Sequence, residues 1–305
     1  MIAQGRLEAD AVIVDAPAQA NRIHSKGAFG DPQSGNSLRL SRTEAAYLVH
    51  QNRLDVGVPW TELLDDEVAY LAYADLRDRG LVVRHHPEGG FDVWPRGEGP
   101  KQDPWFRFQA RSERDPLRFA DIDGVIGVVD EDGVVTHYET ETVRPEGTVM
   151  AVDLPQVQGT VLADRVVVPG QPFAAEFVGT PHGDQTVLSF TEAEALRQRG
   201  VLDIEPLEAT AAARQLHFTR TLPVYLDLRA RGAVARSGFR FGTHLRAYPR
   251  DPDACHAEWL IQCVDANDEL HWSEISRAVR LAHGVRKTFL LADGGQYRAL
   301  RWFRP

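Results

Sequence analysis

The sequence predicts an α/β protein with α+β lobes, built as a tandem duplication. Three observations carry this. Segments recur in the same order, LSRTEAAYL at 40–48 as LSFTEAEAL at 188–196 and YADLRDRG at 73–80 as YLDLRARG at 225–232. Each copy opens on a β-branched run followed by two helix signatures. The remainder of each copy alternates apolar and polar residues, the pattern of half-buried strands.

Taken in order, the first element of each copy is a strand, AVIV at 11–14 and VVV at 166–168, inside the weaker match of GRLEADAVIV to GTVLADRVVV. FGD at 29–31 is matched to HGD at 182–184. A helix then opens at Ser41 or Ser189, with Glu44 or Glu192 three residues on, so that side chain and backbone can cap each other reciprocally. A second helix runs into DLRDRG or DLRARG, and Gly80 and Gly232 follow as its C-terminal stop. The joint lies in TETVRPEGTVMAVDLPQVQG, rich in Pro and Gly and without helical periodicity. This gives an N-terminal repeat, 1–145, and a C-terminal repeat, 146–305.

At 305 residues there is room for two cores. No run of 18 apolar residues occurs, so no membrane span is expected. The N-terminus lacks a basic stretch followed by an apolar one, and Cys255 and Cys263 are the only cysteines. A cytoplasmic protein without a disulfide framework is the expectation. The net charge is -10, and only Lys26, Lys101 and Lys287 are lysines among 34 basic residues. Adaptation to a salty cytoplasm and a GC-rich genome both account for that preference for arginine. Overall acidity argues against a nonspecific nucleic-acid binder, although a local basic patch overrides net charge.

The copies keep their scaffold and differ in chemistry. The shared PR tail aligns Tyr248 with Trp94. Matching ELHWSEI to PLRFADI and stepping back sets His256 against Asp103. Matching KTFLLADGG to VIGVVDEDG sets Lys287 against Val125, and the first copy has no equivalent of the SRAVRLAHG helix. A tyrosine, a histidine and a lysine thus survive only in the second copy. Cys255, His256, Cys263 and His271 lack the short Cys pair of structural zinc sites, so neither a metal nor another cofactor is expected.

YLDLRARG, SGFRFGTHLRAYPR, CHAEWLI and ISRAVRLAHGVRKT together resemble the archaeal tRNA-splicing endonucleases, in the form with two repeats per chain. The likeness extends along nearly the whole sequence. It implies, for each repeat, a small N-terminal α/β lobe and a C-terminal nuclease-like mixed-sheet lobe. It further implies that Tyr248, His256 and Lys287 are catalytic, that the first repeat is an inactive pseudo-subunit, and that precursor tRNA is cut at bulge-helix-bulge motifs. The expected ends are a 2′,3′-cyclic phosphate and a 5′-hydroxyl, made without metal. The residue types suit that chemistry. Histidine titrates near neutrality and can protonate a leaving oxygen. A lysine is a compact charge for the phosphorane. Tyrosine, ordinarily a weak base, is the awkward member, as a base or as an orienting donor.

Seven basic residues lie between 276 and the C-terminus against one acid, Asp293, a footprint suited to phosphate. Arg280 and Arg286 fall there. By resemblance, Arg280 and either Arg301 or Trp302 clamp a bulged base, and His244 is a further candidate for RNA contact, more readily read as holding its loop. One active site per chain and two cuts per intron imply a homodimer. Its acidic docking loop would be Asp130, Glu131 and Asp132, a stretch that also suits an ordinary hairpin turn. Two rivals stand beside this reading. A metal-dependent DNA nuclease is disfavoured, because no lysine follows Glu258 in an E-x-K pattern. A non-catalytic RNA-binding or assembly subunit is opposed by the intact trio.

Overall fold

In a computed structural model, residues 2–305 are described. They form two compact units, one of residues up to Asp115 with Asp123–Glu139 and Phe303–Pro305, the other of Pro116–Ile122 with Thr140–Trp302. The fold is mixed α+β, with seven α-helices among the described residues. None of these helices is long and apolar enough to cross a membrane.

The first unit begins with β1 (Ala11–Val14), α1 (Pro17–Ser25) and β2 (Leu38–Ser41), with β1 and β2 antiparallel. β2 buries Leu38 and Leu40 and turns Arg39 outward, as period-two patterning requires. Ser41 then caps α2 (Arg42–His50). Its Oγ accepts from Glu44 N at 3.2 Å, and Glu44 Oε2 accepts from Ser41 N at 3.0 Å. The other carboxylate oxygen accepts from Gly30 N at 3.0 Å, so one glutamate closes the helix and ties down the preceding turn. α3 (Glu67–Asp78) ends at Arg79, with Gly80 in the left-handed region at φ 87.

The second unit has the same sequence of devices. β8 (Arg165–Pro169) pairs antiparallel with β9 (Gln185–Ser189) and leads to α4 (Phe190–Gln198), capped by Ser189 and Glu192. Glu192 Oε1 accepts from Gly179 N at 3.1 Å. The counterpart of Gly30 is therefore Gly179, not the glycine of HGD. Both glycines have positive φ, and a Cβ on either would strike the neighbouring strand. α5 (Glu208–Arg214) and α6 (Phe218–Ala230) follow, and Gly232 ends α6 as Gly80 ends α3. Neither α1 nor α5 was expected from the sequence. α1 carries only Pro17 in its first turn as a signal and has no capping side chain.

Each unit then carries five neighbouring strands of mixed direction. In the first, β3 (Val82–His85), β4 (Phe91–Trp94), β5 (Phe106–Ser112), β6 (Val125–Val129) and β7 (Val135–Val143) are neighbours in that order, with only β5 and β6 parallel. In the second, β10 (Val234–Ser237), β11 (Leu245–Tyr248), β12 (Trp259–Cys263), β13 (Thr288–Asp293) and β14 (Gln296–Phe303) repeat the pattern, with β12 and β13 parallel. Parallel neighbours need a crossover, and in the second unit α7 (Trp272–Gly284) supplies it. It buries Trp272, Ile275, Val279 and Ala282 along one face. Between β5 and β6 the chain has only the single turn Phe119–Asp121.

The strand registers correct one alignment. Val93 pairs with Phe106 as Ala247 pairs with Trp259, so Phe108 corresponds to Ile261. Val125 faces Phe108, whereas Leu290 faces Ile261. Val125 therefore matches Leu290, and the residue matching Lys287 is Ile122, which is 1% exposed. The cause is the hairpin turn. It spans Asp130–Val134 between β6 and β7 but only Gly294–Gly295 between β13 and β14. An alignment carried gap-free through the turn glycines shifts every residue before it.

Candidate active site

Three adjacent strands of the second unit bring the trio to one edge. β11 ends at Tyr248, while β12 and β13 begin at Trp259 and Thr288. Ala247 pairs with Trp259, and Trp259 with Thr288. Just past the ladder, Glu258 N donates to Ala247 O at 3.0 Å, and Thr288 N donates to Glu258 O at 2.9 Å. With neighbouring strands about 4.8 Å apart, Tyr248, the turn before Trp259 and Lys287 share one end of the sheet.

Ala257 is the point they share. The Tyr248 ring, 9% exposed, packs with Val234 and Ala257. Lys287 Nζ donates to Ala257 O at 2.8 Å and lies 5.8 Å from the Phe241 ring centroid. One of the three ammonium N–H groups is thus spent on positioning, which leaves two for a ligand. The Tyr248 hydroxyl has no hydrogen-bond partner among the described residues and is not among the buried unsatisfied atoms. His256 is exposed and lies between the preceding turn and β12. Asp251 shapes that turn, its carboxylate accepting from Asp253 N at 2.8 Å and its carbonyl from Ala254 N and Cys255 N, both at 3.1 Å. Asp251, Ala257 and Phe241 were not singled out from the sequence. The Pro-Asp turn chemistry of PRDPDACH was the only available signal for any of them.

Lys287 reaches its place through the end of α7. Lys287 N donates to Ala282 O at 2.9 Å and Arg286 N to His283 O at 3.1 Å, the paired bonds of a Schellman motif. The left-handed residue such a motif needs is Arg286, at φ 55, where glycine is usual. A non-glycine residue there is strained, so Arg286→Gly is expected to stabilise the unit by roughly 0.5–1 kcal/mol. If Arg286 contacts RNA, the same variant binds RNA more weakly. Chemical denaturation and RNA titration on one preparation separate the two effects.

The remaining candidates are dispersed. Arg280 is exposed on α7. Arg301 pairs with Glu141 at 2.7 Å. Arg298 donates to Thr142 Oγ1 and lies over the Phe119 ring at 5.7 Å, so this member of the basic run is a packing residue. Trp302, 45% exposed, meets His283 edge-on at 5.9 Å. His244 Nδ1 accepts from Cys263 N at 3.0 Å, and its ring lies tilted against that of His217, with centroids 4.1 Å apart. Burial, then the charges of His217 and Arg220, push its imidazole down to about 4. A neutral ring already engaged with backbone holds the β11–β12 entrance and offers a phosphate no charge.

Asp130, Glu131 and Asp132 form the β6–β7 hairpin turn of the first unit, with Asp130 Oδ1 accepting from Asp132 N and Val134 N at 3.0 and 2.9 Å. Glu131 and Asp132 are exposed. Trp94, the counterpart of Tyr248, donates its indole N–H to Gln102 O at 2.9 Å and so braces a loop. Burial pushes the Cys263 thiol up to about 12, and Cys255 Sγ lies 3.8 Å from Arg250 O. Among the described residues, no three of His, Cys, Asp or Glu are grouped so as to hold a metal ion.

Comparison with known proteins matches this architecture. Residues 218–300 fit the tRNA intron endonuclease catalytic C-terminal domain, and residues 3–73 fit the corresponding N-terminal domain. A tRNA-splicing endonuclease of Haloarcula marismortui is 33% identical, with 95% of each chain covered. The chain belongs to the tRNA-splicing endonuclease family. Family members from Natronomonas pharaonis and Methanococcoides burtonii are 34% and 30% identical, over 96% and 94% of this chain and 96% of each relative. The chain is accordingly an endonuclease, and the matched catalytic domain contains the β11, β12 and β13 edge.

Proposed function

We propose that the chain excises introns from precursor tRNA by metal-independent cleavage at bulge-helix-bulge motifs. The observation that supports this reading is that Tyr248 and Lys287 both meet Ala257, the residue after His256, at the end of three neighbouring strands. In the reaction, the 2′-oxygen at the cleavage site attacks the adjacent phosphorus and the bond to the 5′-oxygen breaks. The 2′-hydroxyl proton leaves toward Tyr248 or toward water that Tyr248 orients. His256 donates a proton to the departing 5′-oxygen. The free N–H groups of Lys287 stabilise the phosphorane. The products are a 2′,3′-cyclic phosphate and a 5′-hydroxyl.

The pairwise likeness of caps, turns and sheet order supports a tandem duplication, with an inactive N-terminal repeat at 1–145 and a catalytic one at 146–305. Trp94, Asp103 and Ile122 stand in the first where the trio stands in the second. Two cuts per intron call for two such chains, so the working form is a homodimer, with Asp130, Glu131 and Asp132 as its docking loop. Arg280, Arg286, Arg301 and Trp302 are the surface left to receive the bulged strand in the cytoplasm. The test is incubation of a labelled intron-containing precursor tRNA in excess EDTA. Cleavage at both bulges with cyclic-phosphate ends is expected; activity restored only by a divalent cation contradicts the mechanism.

A further inference from the structure

In the first unit a cavity of about 680 Å³ lies beside Gly27, at the C-terminal ends of α1 and α3. Its counterpart in the second unit can be located bond by bond. Arg77 Nη1 donates to Gly27 O at 2.8 Å and to Leu81 O at 3.4 Å. Arg229 donates to Glu176 O at 2.9 Å and to Ala233 O at 3.5 Å. The next residues, Ala28 and Phe177, are both left-handed, at φ 52 and 57. Gly30 and Gly179, three residues beyond, are the glycines held by Glu44 and Glu192. Gly27 therefore occupies the place of Glu176.

The two sites are balanced differently. Glu176 is 1% exposed and holds Arg199 at 2.6 and 2.8 Å, Arg229 at 3.3 Å and Val152 N at 2.9 Å. The cavity left beside it is about 180 Å³. In the first unit a hydrogen atom stands where that side chain would be, yet the positive charge is not reduced. Arg77 remains, 4.0 Å from the Phe29 ring, and Arg53 joins it at 5.2 Å. Lys26, Arg53 and Arg96 line the cavity, their side chains make no hydrogen bond or ion pair to any described residue, and Glu98 is the one acid lining it. Burial lowers the Arg53 guanidinium from its ordinary range, and the like charges of Arg77 and Arg22 lower it further. Arg53 is half-buried, Lys26 and Arg96 are exposed, and the buried Arg77 is occupied by Tyr73 Oη and backbone carbonyls. The cavity thus keeps four Lys or Arg side chains against one acid, with room for an anion where the second unit has its own carboxylate.

We propose that this cavity binds a phosphate group, held by Arg53, Lys26 and Arg96 where the second unit uses its own carboxylate. Guanidinium forks match phosphate and carboxylate oxygens alike. The uncompensated charge and the space favour the larger, more highly charged anion. Its source is either a phosphodiester of an RNA strand or a free phosphate or mononucleotide; the RNA arm alone rests on the proposed function.

The test uses the full-length protein in three forms: wild type, Arg53→Gln with Lys26→Gln, and Gly27→Glu with Phe29→Val. The last restores the internal carboxylate, and Val is needed because a Cβ at 27 would come within 2.6 Å of the Phe29 ring. Thermal unfolding is followed in inorganic phosphate, in adenosine monophosphate and in chloride at matched ionic strength. Wild type is expected to gain roughly 2–5 °C, saturably, over chloride. Both variants should lose that gain. In chloride the Arg53→Gln, Lys26→Gln form should unfold no earlier than wild type, since it relieves repulsion. The Gly27→Glu, Phe29→Val form unfolds earlier because a core ring is truncated, so it is read by its phosphate-minus-chloride difference. If the source is RNA, the Arg53→Gln, Lys26→Gln form also binds precursor tRNA more weakly, with a salt slope smaller by about 0.9. Unchanged RNA binding assigns the site to free phosphate. Equal unfolding of wild type in phosphate and chloride, or the same phosphate gain in all three forms, overturns the proposal.

Discussion

His256→Ala is expected to slow precursor-tRNA cleavage by about 10²- to 10⁴-fold, the range for loss of a positioned general acid. Lys287→Ala should lose about 10²- to 10³-fold through the missing charge at the phosphorane. Neither side chain holds the fold together: His256 is exposed, and the Lys287 ammonium makes one hydrogen bond, to Ala257 O. Single-turnover rates should therefore fall while RNA affinity and thermal stability stay close to wild type. Lys287→Arg is expected to recover little. The ammonium sits 2.8 Å from a carbonyl beside the Phe241 ring, and a longer, planar guanidinium cannot keep that bond and present the same point charge. Losses below tenfold in both alanine variants, measured on folded protein, would remove the trio from the chemistry.

The largest effect on stability is expected from Glu176→Ala. Burial opposes the charged form of this carboxyl, but the Arg199 hydrogen bonds and the charges of Arg199 and Arg229 outweigh it and hold it below the usual carboxylate range. Removing the carboxylate takes a charged acceptor from the half-exposed Arg199 and the more buried Arg229, and losing such charged hydrogen bonds typically costs about 1.5–3 kcal/mol. Urea denaturation should register that loss. A carboxyl depressed in the folded state contributes stability above its unfolded pKa, and the contribution disappears as pH falls through the folded value. Acidification below about pH 4 should therefore narrow the gap between wild type and Glu176→Gln. A variant as stable as wild type at pH 7 would mean that solvent, rather than Glu176, already satisfies the two arginines.

The contrast between Glu176 and Gly27 also marks the limit of sequence reading. Local signals translated directly into structure: Ser41 with Glu44 and Ser189 with Glu192 became complete capping boxes, and Gly80 and Gly232 ended their helices. These devices involve residues within one turn of each other, so spacing alone specifies them. Features that depend on contacts distant in sequence were misplaced or missed. FGD was matched to HGD, because the glutamate bond that identifies Gly179 crosses 13 residues. Lys287 was aligned with Val125, because the longer β6–β7 turn is visible only once the strands are paired. Differences between the two halves of the sequence drew attention to Tyr248, His256 and Lys287, but nothing drew attention to Ala257, which meets Lys287 through its backbone oxygen and Tyr248 through packing that no residue type announces. The basic run near the C-terminus was read as one surface, whereas Arg298 is used internally and Arg301 is paired with Glu141.

The central claim is that the substrate's own 2′-hydroxyl is the nucleophile and that His256 and Lys287 act on the phosphate it attacks. The most direct measurement is the single-turnover cleavage rate of a precursor tRNA carrying one 2′-deoxynucleotide immediately 5′ of one cleavage site, in EDTA. The account requires that cut to vanish while the other site in the same molecule, left unmodified, is cleaved at the wild-type rate. Cutting of the deoxy site at an undiminished rate would show that water or an enzyme group attacks instead, and would contradict the mechanism assigned to this edge of the sheet.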